Sequence, residues 1–194
     1  MNDFFLMSNR SINLPIFNQY VDVQQIQMKY FDQWVICAET VKIFMHEKEH
    51  SDEVLEKLFT KHPSEVISIC GLVTGLSTSE ILSHAKKQDD FMQLIKAVLN
   101  TNHAYFKPIK EKSNNQKNQG GKSTTWFDSF QYLISKGHLH SEILNYSYGT
   151  FIEYLKSAQR NDQSYLLNIG NTMRVSYHAD QKGYTKYLES LKNN

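Results

Sequence analysis

The chain has 194 residues, 40% of them apolar, with 11 Tyr, 11 Phe and 2 Trp. That is enough apolar surface to close one ordinary domain or two small ones, and it excludes disorder throughout. The formal charge of +1, from 21 basic and 20 acidic residues without a basic block, gives no electrostatic reason to expect nucleic acid or an anionic membrane as partner.

Residues 1–10 lack a basic head followed by a sustained apolar run, so no signal peptide is indicated. Ile12 and Leu14 alternate with polar neighbours, as do Val21 and Val23, with Asn18 and Gln19 between the runs. This predicts a short β-hairpin with Pro15 near a strand end, where its missing N–H costs nothing. From Met28 to Met45 the apolar residues Phe31, Trp34, Val35, Ala38, Val41 and Phe44 return at helical spacing. Ser51 is a candidate N-cap, with Asp52 and Glu53 in a first turn that favours negative charge, and Val54, Leu55, Leu58 and Phe59 line the helix that follows. Pro63 fits the first turn of the next helix, which runs to Gly75. Its apolar run, Val66 to Leu76, is too short to span a bilayer. Cys37 and Cys70 lie inside apolar helical patterns and read as small buried thiols in a reducing compartment, with a disulfide as the alternative that the sequence leaves open.

Ser77-Thr78-Ser79-Glu80 is a capping box opening a short helix. Phe91, Leu94, Ile95, Val98 and Leu99 form an amphipathic stripe continued by Asn102, with Tyr105 and Phe106 at its end. Composition then changes abruptly. Residues 107–125 read KPIKEKSNNQKNQGGKSTT, almost free of apolar side chains, and are expected to be a linker. Beyond it, Trp126, Phe127, Phe130, Leu133 and Ile134 restart a helical face that stops at Gly137. Further helices are expected at 141–145, 148–159, 162–178 and 181–191, the last capped by Asp180. The expected fold is therefore mainly α: a short N-terminal β-hairpin and helical bundle over 1–107, a linker at 108–125, and a second small helical unit over 126–194.

Two short motifs suggest an enzyme. Gly120-Gly121-Lys122-Ser123 ends like a phosphate-binding loop, but the first glycine of that loop would fall on Gln116 and no buried strand precedes it. His46-Glu47-Lys48-Glu49-His50 fits H-E-x-x-H, yet Glu53 and Glu56 stand where the glycine and third His of the commonest continuation belong. His138 and His140 lack a Cys or carboxylate at ligand spacing. His178 and Asp180 lie at a helix break, with no nucleophile motif elsewhere. No catalytic, cofactor or metal residues are assigned.

The arrangement resembles the tail assembly chaperones of long-tailed phages and prophages. The stretch EVISICGLVTGLSTSEILSHAKKQDDFMQLIKAVLNTNHAYF, with INLPIFNQYVDV before it, looks like that family's core pattern. A Trp-led helix, Gly137-His138, ILNYSYGTFIEYL and RVSYHADQKGYTKYLESL look like its C-terminal extension. The resemblance implies a non-enzymatic protein of the bacterial host cytoplasm, absent from the mature virion. Its partners would be the tape measure protein, kept soluble by 11–106, and the tail tube protein, recruited by 126–194. Self-association is left open. The family makes its short and long forms by ribosomal frameshifting, for which Gly120-Gly121-Lys122 lies at the expected junction. Trp126, Phe130, Tyr146, Phe151 and Tyr154 are the candidate contacts of the second unit. The rival expectation is a structural virion component, a neck or tail-completion protein.

Overall fold

A computed structural model describes residues 3–84, 88–107 and 125–192. The fold is mainly helical with an N-terminal two-stranded antiparallel hairpin. After the short helix α1 (Asp3–Met7), strand β1 (Ile12–Ile16) pairs with β2 (Gln19–Val23) in the register Ile12↔Val23, Leu14↔Val21, Ile16↔Gln19. The two residues between them, Phe17 and Asn18, have φ of 58° and 61°, the double left-handed conformation of a type I′ turn. Phe17 is an unusual choice there. It is held by burial and by its N–H, which donates to Asp90 Oδ2 at 3.0 Å. The pair closing such a turn is hydrogen-bonded and the next is not, so Pro15 opposite Tyr20 forfeits no ladder bond. Ile16, Val21 and Val23 are buried on one face of the hairpin while Asn13, Tyr20 and Asp22 lie on the exposed face.

Helices α2 (Phe31–Met45), α3 (Asp52–Lys61), α4 (Pro63–Thr74), α5 (Thr78–His84), α6 (Gln88–Thr101) and α7 (His103–Phe106) follow. Helix α4 lies deepest: Val66, Ile67, Ile69, Cys70 and Val73 are all buried, and it packs against α2, α3, α5, α6 and β2. The capping signals behave as read. Gly75 closes α4 at φ 72°. Ser77 N–H donates to Glu80 while the Glu80 N–H donates to Ser77 Oγ, the reciprocal box that opens α5. Ser51 does occupy the N-cap of α3, although its hydroxyl makes no capping bond.

One side chain ties the hairpin to this bundle. Asn102, 4% exposed, accepts from the Ile26 N–H at 2.7 Å through Oδ1 and donates from Nδ2 to the carbonyls of Val98 and Gln24. The exit from β2 is extended backbone whose polar groups the sheet no longer serves, and the amide at the end of α6 serves them instead. The Gln24 N–H donates to the Val73 carbonyl at 2.8 Å, so the same segment is also fixed to the end of α4.

The chain divides into two compact units, Met1–Glu153 and Tyr154–Asn194. This boundary differs from the expected one. The segment expected as linker lies outside the described residues, except Thr125, which caps α8. Residues 125–153 nevertheless belong with the first unit. They comprise α8 (Trp126–Ser135), α9 (His140–Asn145) and the start of the 31-residue α10 (Tyr148–His178). Residues 26–28 run antiparallel to 146–148 in a short bridge, the Met28 N–H donating to the Tyr146 carbonyl and the Tyr148 N–H to the Ile26 carbonyl, both at 2.9 Å. Thr150 Oγ1 donates to the Leu6 carbonyl, and the Ser147 N–H donates to Asn9 Oδ1 at 3.0 Å. An extended edge and these side-chain bonds give a stronger link than a composition change can undo.

The second unit consists of α10 beyond Glu153 and α11 (Gln181–Lys192). The two helices expected at 148–159 and 162–178 are one, because Arg160, Asn161 and Asp162 are polar but not helix-breaking and meet solvent on a continuous helix. Asp180 caps α11 as expected, its carboxylate accepting the Gly183 N–H at 2.7 Å. Thr172 Oγ1 and the Tyr187 hydroxyl, 2.7 Å apart, join the two helices.

Candidate protein-interaction surface

Of the motifs that suggested catalysis, those within the described residues do not assemble. Helix α2 ends at Met45, His46 has an extended ψ of 125°, and Glu47 has φ 59°. Residues 46–50 therefore form no helix, and His46 and His50 do not share the face a zinc site of that spacing requires. His138 Nδ1 lies 2.9 Å from the Tyr146 hydroxyl, and the His140 ring packs against Phe130. Asp180 is occupied as a cap. The glycines of 120–121 lie outside the described residues. A cleft of about 340 Å³ lined by Asp52, Glu56, Gln88, Asp89, Met92 and Gln93 has Lys96 paired to Asp52 at 2.6 Å. Among the described residues no group of three His, Cys, Asp or Glu side chains is placed to hold a metal ion, and no helix is long and apolar enough to cross a membrane.

The five aromatic candidates fall into different places. Thr125 and Asp128 form a reciprocal capping box that opens α8 and places Trp126 at its first position. These hydrogen bonds hold the Asp128 carboxyl below its ordinary range. The Trp126 ring meets Phe31 edge-on at 5.0 Å and Phe151 at 5.9 Å; Phe31 also stacks on Tyr148 at 5.1 Å. Phe130 contacts Phe151 at 5.2 Å. Phe151 is completely buried, so it is a core residue and not a contact residue. Phe130 and Tyr146 are half-buried, and the Tyr146 carbonyl is taken by the bridge to Met28. Trp126 is 50% exposed beside Phe127, which is 71% exposed. Tyr154 is half-buried and belongs to the second unit. Four of the five thus sit in or beside the seam that joins 125–153 to the bundle, where aromatic pairs contribute beyond their buried area.

A side-chain hydrogen bond lies beside these rings. The Tyr105 hydroxyl donates to Glu39 Oε2 at 2.7 Å, and Lys42 stands over the Tyr105 ring, 4.8 Å from its centre. Burial first, and then Glu39, push the Tyr105 hydroxyl well above the ordinary tyrosine range. Tyr148 is raised by burial and the same carboxylate. Both hydroxyls therefore stay protonated at neutral pH, and that of Tyr105 serves as the donor to Glu39.

Comparison with protein families, with curated proteins and with solved structures finds no match to this chain.

Among the described residues, the largest run of uncovered apolar side chains lies in the second unit, in which Tyr154 is the sequence-predicted contact. Tyr165, Leu166 and Leu167 are each about two-thirds exposed, Met173 is 58% exposed and Tyr177 84%. Among the described side chains beyond Glu153, none is buried. A signal was present in the sequence: the spacing 166, 173, 177 follows one helix face. It was unreadable as surface because an apolar stripe has the same spacing whether a neighbouring helix covers it or not.

Proposed function

We propose that this protein is a tail assembly chaperone of the long-tailed phage type, a non-enzymatic binder of an apolar helical client, the tape measure protein, that also recruits tail tube subunits. The observation that carries the reading is the exposed apolar face of 154–192 attached to a well-packed helical unit. A face of that kind suits the shielding of an amphipathic helix that would otherwise aggregate. The sequence resemblance supports the reading independently of the surface. The division of labour follows the compact units: 1–153 forms one body, and 154–194 provides the separate contact surface. A fragment ending near 110 would strip Phe31, Tyr105 and the 26–28 edge of their cover, so the experiment uses the full chain.

The test is co-expression of the full chain with a tape measure protein from a long-tailed phage whose own chaperone has been deleted. Soluble tape measure is expected in its presence, together with depletion of the chain from purified virions by mass spectrometry. A stoichiometric virion copy, or tape measure that stays insoluble, overturns the reading.

A further inference from the structure

Residues 154–192 carry a second regularity that the exposed face alone does not explain. At about 100° per residue, Leu166, Gly170, Met173 and Tyr177 fall within an arc of about 60° on α10. The three side chains are 66%, 58% and 84% exposed. Gly170 sits at the middle of the stripe, and a Cβ built there meets nothing within 4 Å. Glycine in a helix interior is a poorer helix former than alanine and so carries a cost in stability. Nothing among the described residues requires that cost, whereas a second backbone crossing closely at this point would.

The charge of this unit, together with two arginines beside the stripe, selects what crosses it. Between 154 and 194 there are six basic residues and three acidic ones, a surplus of three positive charges, and Asp180 is already engaged as the cap of α11. Arg160 and Arg174, both exposed, lie on the same flank of the stripe. A second copy of this unit would bring like charge onto like charge. We infer that the Leu166–Gly170–Met173–Tyr177 stripe docks an amphipathic α-helix of a partner protein whose polar face is acidic, crossing closest at Gly170 with carboxylates facing Arg160 and Arg174. This deepens the chaperone reading, on which it rests for the helical form of the client.

The experiment uses the full chain and two synthetic helical peptides of about 20 residues. They share one leucine stripe and carry either Glu or Lys on the polar face. Fluorescence anisotropy is expected to give at least about tenfold tighter binding of the Glu peptide at about 0.05 M salt, with the difference shrinking at about 0.5 M. Gly170→Leu is the decisive variant. It should raise helicity by circular dichroism, because leucine is the better helix former, and yet weaken binding of the Glu peptide at least about tenfold by blocking the close crossing. Arg160→Glu with Arg174→Glu should reverse the peptide preference. Equal binding of the two peptides, unchanged binding by Gly170→Leu, or a stable dimer in sedimentation equilibrium that Leu166→Ser dissociates would each overturn the proposal. If peptide preference holds but tape measure stays insoluble, the chaperone reading fails and the stripe stands. If Gly170→Leu solubilises tape measure as well as the native chain does, the stripe fails and the chaperone reading stands.

Discussion

Replacing Asn102 by Ala removes the amide that holds the exit of β2 against the end of α6. Its three hydrogen bonds are not equal. The Val98 carbonyl keeps its backbone donor, the Asn102 N–H at 3.1 Å, and so loses little. The Gln24 carbonyl belongs to an exposed residue and can find water. The Ile26 N–H, in a residue only 2% exposed, is left without its 2.7 Å acceptor. An orphaned buried group costs about 1–3 kcal/mol, and the lost amide contacts and partial loss at Gln24 bring the total to roughly 2–4 kcal/mol. Urea unfolding followed by far-ultraviolet circular dichroism reads this directly. With a slope of about 2 kcal/mol per molar, the midpoint should fall by about 1–2 M. Asn102→Asp supplies a sharper check. Its ionised form keeps the acceptor for Ile26 but turns a second oxygen toward two carbonyls, so it should be no better than alanine at neutral pH. A carboxyl buried there has its folded pKa raised above the unfolded value. Its protonated form is favoured in the fold, and stability should recover as pH falls through the folded value toward about 4. A loss below about 1 kcal/mol for Asn102→Ala, or an Asp variant indifferent to pH, would refute the claim that this amide is the tie.

Gly149→Ala should destabilise the first unit by about 1–3 kcal/mol in the same urea assay, because the new Cβ would lie 2.9 Å from Leu6 Cδ2 and 3.1 Å from Ala104 Cβ. Gly170→Ala, with open space around it, should instead gain helicity by circular dichroism. Cys70 has its thiol pushed up to about 12 by complete burial. Above the ordinary thiol range of about 8.5 the unfolded chain releases this proton while the folded chain keeps it, so this thiol alone should make stability fall with rising pH by up to about 1.4 kcal/mol per unit. Cys70→Ala should flatten that slope in urea midpoints taken from neutral to alkaline pH. A site for a specific protease placed between Asn114 and Asn115 should yield two bands on a denaturing gel that still co-elute on size exclusion, since Phe31 to Trp126 and residues 26–28 to 146–148 join the halves. Separation of the fragments would show that this seam does not hold them.

Much of the fold was legible because its determinants are local. The alternation at Ile12–Val23, the reciprocal Ser77–Glu80 box, Pro63 and the left-handed Gly75 each fix a short stretch of backbone by chemistry that lies within a few residues. The places where reading failed are those where distance in sequence matters. Phe17 in a double left-handed turn depends on Asp90, far along the chain, and propensity would have put Asn-Gly there. The attachment of 125–153 to the bundle depends on an isolated bridge of residues 26–28 with 146–148, and a bridge so short has no periodicity of its own. The candidate contacts suffered from the same limit. Phe151 and Trp126 carry the same aromatic signature, yet one is sealed and the other half open, because burial depends on Phe31, Phe130 and Tyr148.

The position of the polar segment and the position of the structural boundary have different causes. A polar segment records where the chain needs no core, whereas a unit boundary records where packing stops. Here the first lies before Trp126 and the second within α10, after Glu153. Helix α10 crosses that boundary without a break, so its first turns are held by Leu6, Ala104 and Phe31 while its later turns have α11 as their described intrachain support. A helix anchored at one end has its costly nucleus already formed, and each further residue needs only propagation. That allows 154–178 to persist as helix although no described side chain beyond Glu153 is buried. An exposed apolar face can thus be kept ready without a core of its own beneath it. In the proposed chaperone, this is how a small body would present a binding helix and still let the client complete its packing.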